Sequence, residues 1–138
     1  MPDAPPDWIL YVDDEPQLAA MVVEVLTDEG YQVHHSADGY AALEWAKDNR
    51  PSLILLDMML PRMDGPTLGK AIFDMYGPTI PLVVTTALRA EEAAHIAADL
   101  SAFATLLKPF ELAELCATVQ RGLDEARRRA GDAGPAIA

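Results

Sequence analysis

Several polar residues in this chain each stand at the end of a short apolar run. Asp13 and Asp14 close residues 9–12, Asp57 closes residues 52–56, Thr85 and Thr86 close the run from residue 81, and Lys108 closes residues 103–107. Brought together, three carboxylates, a hydroxyl and a lysine would share one shallow pocket. Three carboxylates in one place raise one another's pKa or demand a cation. A hard divalent ion answers that demand, and Mg²⁺ suits one or two carboxylates, several waters and phosphate oxygens. A bound cation also neutralises charge on a phosphoryl group in transfer. A lysine adds a mobile positive charge, a threonine hydroxyl can donate to a phosphoryl oxygen, and a carboxylate nucleophile can form an acyl phosphate. Neither cysteine nor histidine ends any of these runs, so thiol and redox chemistry are poor candidates.

The elements that must bring these groups together follow from the pattern of the chain. Apolar runs at 9–12, 31–35, 52–56, 81–85 and 103–107 alternate with stretches of helical spacing. Leu18, Met21, Val22, Val25 and Leu26 define a first helix stopped by Gly30; residues 40–47 form a second. Leu68, Ile72 and Met75 mark a third, closed by Gly77-Pro78; residues 91–100 form a fourth and residues 111–128 a last. Strand and helix alternating five times predict an α/β fold with helices on both faces of a parallel sheet. Continuously apolar strands fit, because such a sheet is covered on both sides. In doubly wound sheets, ligands bind outside the carboxyl ends of the strands, which is where all the polar groups above are predicted to gather.

Composition narrows the choice of function. The chain of 138 residues is 51% hydrophobic and 23% charged, as expected for one globular domain. No apolar run approaches the ~20 residues of a membrane span, and the N-terminus carries no basic or apolar leader, so a cytoplasmic location without membrane insertion is expected. A formal charge of −12 opposes direct contact with nucleic acid. The basic run Arg127-Arg128-Arg129 is read as complementing the end of the last helix. Cys116, the single cysteine, falls on the apolar face of that helix and is read as a small buried core residue. His34 and His35 are adjacent on a predicted edge strand, point to opposite faces, and are read as structural rather than metal-binding. Met58, Met59 and Met63 are read as loop packing. Residues 1–7 are read as a loose lead-in, 8–127 as the working domain and 128–138 as a flexible tail.

The residues 9–16 (Ile-Leu-Tyr-Val-Asp-Asp-Glu-Pro) resemble the opening of a response-regulator receiver domain of two-component signalling. Residues 53–65 (Leu-Ile-Leu-Leu-Asp-Met-Met-Leu-Pro-Arg-Met-Asp-Gly) resemble its phosphorylation strand and loop. Residues 81–87 (Pro-Leu-Val-Val-Thr-Thr-Ala) and 107–110 (Leu-Lys-Pro-Phe) resemble its other two signatures. The similarity covers about residues 8–127. It implies a flavodoxin-like (βα)5 fold with strand order 2-1-3-4-5. By resemblance, Asp57 is the phosphoacceptor, Asp14 a direct Mg²⁺ ligand, Asp13 its partner acting through water, and the Met59 backbone carbonyl a third protein ligand. Thr86, which directly precedes Ala87, and Lys108 match the groups that hold phosphoryl oxygens. Gly65 matches the turn glycine before the third helix, and Pro109 a proline often held cis. The resemblance further implies a histidine kinase or histidine phosphotransfer protein as donor, catalysis only of the chain's own phosphoryl transfer and dephosphorylation, and homodimerisation through the fourth helix, fifth strand and last helix.

Each of these residues also has a plainer reading. Asp13 and Asp14 suit a helix N-terminus, Asp57 a turn, and Lys108 an exposed surface. Their joint occurrence at four strand ends favours the site. Two features depart from the family pattern. The position of the aromatic that swings inward on activation holds Thr105, and the positions two after Asp57 and two after Thr86 hold Met59 and Leu88 instead of polar side chains. Two other functions compete with the switch. One is a receiver-like interaction module that is never phosphorylated. The other is a phosphatase with an aspartyl-phosphate intermediate, which needs an acid/base carboxyl two residues after the nucleophile where this chain has Met59.

Overall fold

The computed structural model describes the backbone of residues 7–133 and the side chains of residues 7–131. Along the chain come β1 (Trp8–Val12), α1 (Pro16–Asp28), β2 (Gln32–Ser36), α2 (Gly39–Asp48), β3 (Leu53–Asp57) and α3 (Gly65–Tyr76). A single 3-10 turn at Gly77–Thr79 leads to β4 (Leu82–Thr86), α4 (Ala90–Asp99), β5 (Ala104–Leu107) and α5 (Leu112–Ala133). The five strands pair in parallel in the order β2-β1-β3-β4-β5. The expected architecture and strand order are therefore those observed.

The period-2 alternation of each strand divides the core in two. Ile9, Tyr11, Leu53, Leu55 and Val83 pack under α1 and α5 against Val22, Leu26, Leu115, Val119 and Leu123. Leu10, Val12, Ile54, Leu56 and Val84 pack on the other face against Ala42, Ala46, Leu68 and Ile72. Every residue of β3 and β4 is buried, which is why those runs carry no polar alternation until they end. Each fully buried Leu or Ile contributes about 1.5–3 kcal/mol relative to exposure, so this two-sided burial supplies most of the driving force.

Local signals fix where the helices begin and end. Asp38 and Asp64 cap α2 and α3, accepting from the N–H groups of Ala41 and Thr67 at 2.8 Å each. Gly30 and Gly77 follow α1 and α3 with φ of +94° and +73°, a conformation that favours glycine. The Lys108–Pro109 peptide is cis, as the resemblance implied.

Three expectations need correction or completion. The last helix continues to Ala133 rather than ending near Arg128, so residues 128–133 belong to helix and not to a flexible tail. Side chains one turn back hold it together: Arg127 pairs with Asp124, and Arg128 and Arg129 pair with Glu125. The rest of the expected tail, like residues 1–6 of the lead-in, lies outside the described residues, whereas Asp7 is tied to Arg127 at 2.8 Å. Cys116 is only partly buried, packed against the edge of the core, and burial pushes its thiol above the usual range. The methionines divide: Met58 is buried, Met63 packs against the core, and Met59 projects outward.

His34 and His35 do face opposite sides of the edge strand β2. His34 stacks on Trp45 with ring centres 4.3 Å apart, and Trp45 meets the edge of Trp8 at 5.9 Å. His35 lies against Tyr11 on the other face, 5.5 Å away. Among the described residues, no helix is long and apolar enough to cross a membrane.

Candidate functional site

The carboxyl ends of β1 and β3 lie side by side, with Val12 in register with Leu56. The chain leaves each strand at an acid, so Asp13, Asp14 and Asp57 converge, their ligand oxygens all within 4.8 Å of one another. Asp13 and Asp57 are buried, and Asp14 is exposed. The donor set is hard oxygen, with room toward solvent on the Asp14 side, which fits Mg²⁺ as the notional ion better than a softer metal. A cavity of about 600 Å³ opens over these groups, lined by Asp14, Glu15, Asp57, Met59 and Lys108 and flanked by Leu18, Met21 and Phe110.

Lys108, the residue after β5, reaches into the cluster. Its ammonium lies 2.8 Å from Asp13 Oδ2, 2.8 Å from Glu15 Oε2 and 3.1 Å from Asp57 Oδ2. An ammonium has three donors, and here all three meet a carboxylate. Burial alone would favour the neutral amine. The hydrogen bonds to Asp13 and Glu15, with the charges of Asp13 and Asp57, outweigh it and hold Lys108 above the usual lysine range.

Asp57 has the opposite balance. Burial raises its carboxyl above the usual range, although the Met59 N–H at 3.1 Å on Oδ1 and Lys108 on Oδ2 pull it down. Asp13 is enclosed on every side. Its Oδ1 accepts from the Glu15 N–H at 3.0 Å, and its Oδ2 accepts from the Tyr11 hydroxyl at 3.2 Å and from Lys108. Its backbone carbonyl pairs with His35 Nε2 at 2.8 Å; a carbonyl only accepts, so that nitrogen carries the proton.

The loop after β3 is folded tightly around the acceptor strand. Gly65 approaches so closely that a Cβ there would fall 2.6 Å from the Asp57 carbonyl and 2.7 Å from Met58 Cε, so only glycine fits. Arg62 holds φ of +70° and is steadied from outside by Asp38 at 3.4 Å and by the Tyr40 ring at 5.1 Å. This loop sets Met59, a residue 62% exposed, at the rim of the cavity.

The expected residues thus fall into two groups. Asp13, Asp14, Asp57, Met59 and Lys108 share one site. Thr86 is buried at the end of β4, but its hydroxyl is turned to accept the Leu88 N–H at 3.1 Å. Its neighbour Thr85 is in register with Asp57, and among the described residues its buried hydroxyl has no hydrogen-bond partner. Thr105 lies on β5 in register with Val84 and is half-buried. Sequence reasoning missed Glu15 and Tyr11. Tyr11 was legible, since it stands two residues before Asp13 on the same face of β1. Glu15 was not, because its partner Lys108 is 93 positions away.

Comparison with known proteins agrees with this geometry. The profile of the response regulator receiver domain matches residues 9–120. The chain is 31% identical over 125 residues to the transcriptional regulatory protein PdtaR of Mycobacterium tuberculosis, covering 90% of this chain but only 60% of that protein's length. It is 33% identical over 115 residues to sporulation initiation phosphotransferase F of Bacillus subtilis, covering 83% of this chain and 92% of that one. Among solved structures, chemotaxis protein CheY4 of Vibrio cholerae superimposes with a TM-score of 0.80 at 32% identity, covering 86% of this chain and all of that one. An acid cluster at the carboxyl edge of a 2-1-3-4-5 sheet and a profile match across most of its length lead to one conclusion: this chain belongs to the response regulator receiver domain family, the phosphoryl-accepting signalling domains of two-component systems.

Proposed function

We propose that Asp57 accepts a phosphoryl group from a phosphohistidine on a histidine kinase or histidine phosphotransfer protein, and that residues 8–127 act as the switch. The observation that carries this reading is the convergence of Asp13, Asp14 and Asp57 within 4.8 Å beside the Lys108 ammonium. An Asp57 carboxylate oxygen attacks phosphorus as the N–P bond of the donor breaks. The electron pair of that bond stays on the imidazole nitrogen. Asp14 directly, Asp13 through water, Asp57 and the Met59 carbonyl would hold Mg²⁺, which when bound neutralises charge on the transferring group. Lys108 stays with the acceptor side, and the Thr86 hydroxyl exchanges the Leu88 N–H for a phosphoryl oxygen. Hydrolysis returns the Asp57 carboxylate and inorganic phosphate, so the chain catalyses reactions of its own phosphoryl group only.

Movement of Thr86 draws on the loop that leads into α4. Thr105 is too small to fill the space vacated, so the response passes through this loop to α4, β5 and α5. That surface serves a partner or a second copy of the chain in the cytoplasm. The net charge of −12 argues against direct contact of this chain with nucleic acid.

The test is labelling by acetyl phosphate and by phosphohistidine donors, with Mg²⁺ and with chelator. Asp57→Asn is expected to abolish labelling, as is chelation. Full labelling of Asp57→Asn would move the acceptor elsewhere, and no labelling of the unaltered chain by any donor would leave an interaction module.

A further inference from the structure

We propose that Tyr11 is a positioning residue for the divalent-cation half of the site, acting by fixing the Asp13 carboxylate. The proposal rests on the reading that Asp13, Asp14 and Asp57 take Mg²⁺.

Tyr11 is only 1% exposed, in the middle of the β1 core face. A tyrosine there buries a hydroxyl that must find a partner or destabilise the core. It finds Asp13 Oδ2 at 3.2 Å, two residues along the same face of the strand. The His35 ring, 5.5 Å from Tyr11, packs beside it while bonding the Asp13 carbonyl. Asp13 is therefore gripped at its backbone and at both carboxylate oxygens, with no exposed surface.

These grips differ in permanence. Lys108 also holds Oδ2, but its ammonium is shared with Glu15 and Asp57, so its hold on Asp13 is divided among three carboxylates. When a cation and a phosphoryl group draw Lys108 toward the acceptor, Oδ2 retains the Tyr11 hydroxyl. The carboxylate then keeps its rotation, and a metal-bound water meets a fixed acceptor. Without the hydroxyl, a wholly buried carboxylate loses a donor that solvent cannot replace, and its orientation is free to drift. Outer partners that orient metal-site ligands commonly matter by 10–100-fold in affinity. An opposing effect is that one fewer donor leaves Oδ2 more electron-rich toward the cation. Complete burial makes lost orientation the larger effect here.

The experiment is Mg²⁺ titration by calorimetry of the unphosphorylated full chain, compared with Tyr11→Phe and Asp13→Asn. Initial phosphorylation by acetyl phosphate is measured across the same Mg²⁺ range. Tyr11→Phe keeps the ring and removes only the hydroxyl. Its Mg²⁺ dissociation constant is expected to rise about tenfold. The Mg²⁺ concentration for half-maximal phosphorylation should rise with it, while the rate at saturating Mg²⁺ stays within about twofold. A merely structural role would lower the rate at every Mg²⁺ concentration, and that result overturns the proposal. So does an unchanged or tightened Mg²⁺ affinity in Tyr11→Phe while Asp13→Asn is weakened. Failure of the unaltered chain to bind Mg²⁺ overturns the cation reading itself, and the Tyr11 proposal with it.

Discussion

Glu15 and Lys108 are 93 positions apart in the chain, yet Glu15 Oε2 and Lys108 Nζ meet at 2.8 Å across the mouth of the acid cluster. The contact joins the first residue beyond the acid pair to the end of the last strand. It gives Lys108 a third carboxylate, one that is 57% exposed and does not belong to the predicted metal set.

Lys108 is the counter-charge that lets this cluster exist without a cation. Lys108→Ala is expected to lower stability by about 3 kcal/mol in chelator, because it strands buried Asp13 and Asp57. Mg²⁺ should restore more stability to this variant than to the unaltered chain. Glu15→Gln should cost less than about 1 kcal/mol, since the Glu15 side of the pair is 57% exposed and Lys108 keeps its two buried carboxylate partners. Denaturant unfolding with and without Mg²⁺ checks both; equal losses for the two variants would refute the ranking.

Asp64 provides a pH-dependent contribution away from the cluster. The Thr67 N–H, bonded to its carboxylate at 2.8 Å, holds the carboxyl below the usual range. A depressed value in the folded state means stability that is present above the unfolded value, near 3.8, and lost as pH falls through the folded value. Asp64→Ala is expected to cost about 1 kcal/mol at pH 7. The gap between the two proteins should narrow on acidification below about pH 4. Melting curves at pH 7 and pH 3 read this directly.

Thr85 and Thr86 should respond oppositely to the same change. The Thr85 hydroxyl is buried and, among the described residues, unpaired, so Thr85→Val keeps the shape and removes the penalty. A gain of about 1 kcal/mol is expected. Thr86→Val instead removes the acceptor for the Leu88 N–H and should destabilise by a similar amount. Phosphorylation-linked changes should survive the first substitution and be lost in the second.

The side chains two positions after Asp57 and two after Thr86 bear on how long phosphoryl-Asp57 lasts. Hydrolysis needs a water aligned with the phosphorus, and Met59 and Leu88 offer it no hydrogen bond. Phosphoryl-Asp57 should decay more slowly in the unaltered chain than in Met59→Asn with Leu88→Glu. Chase measurements of the labelled proteins decide; equal decay would remove both positions from lifetime control.

The fold was readable because each apolar run stops abruptly at a polar group. Leu53–Asp57 shows why: a strand buried on both faces has no polar side chain until its end, so the end marks itself. The same rule found Asp57 and Lys108. Tyr11 escaped notice because an aromatic in a core strand reads as packing, although its hydroxyl lies within reach of Asp13. Glu15 escaped because its partner is fixed only by the closure of the sheet. The end of α5 was misplaced because the apolar helical spacing fades after Leu123, whereas the pairs on Glu125 and the Arg129 bond to the Pro78 carbonyl carry the helix onward. Cys116 was placed one step too deep, since helical spacing gives the face of a residue but not its distance from the rim.

The stack of Trp8, Trp45 and His34 determines what light can report about this protein. Both tryptophans of the chain belong to it. Trp8 opens β1, so it sits about 16 Å of strand away from the acid pair that follows Val12. Intrinsic tryptophan emission should therefore barely register occupation of Asp57. It should instead follow His34, whose ring is 4.3 Å from Trp45 and whose burial holds its pKa below the usual histidine range. A protonated imidazolium against an indole quenches it, so emission should fall on mild acidification while the fold is intact. A spectroscopic handle on the switch would have to be placed near the cavity, and exposed Met21, beside Leu18 on its flank, is a suitable position for one.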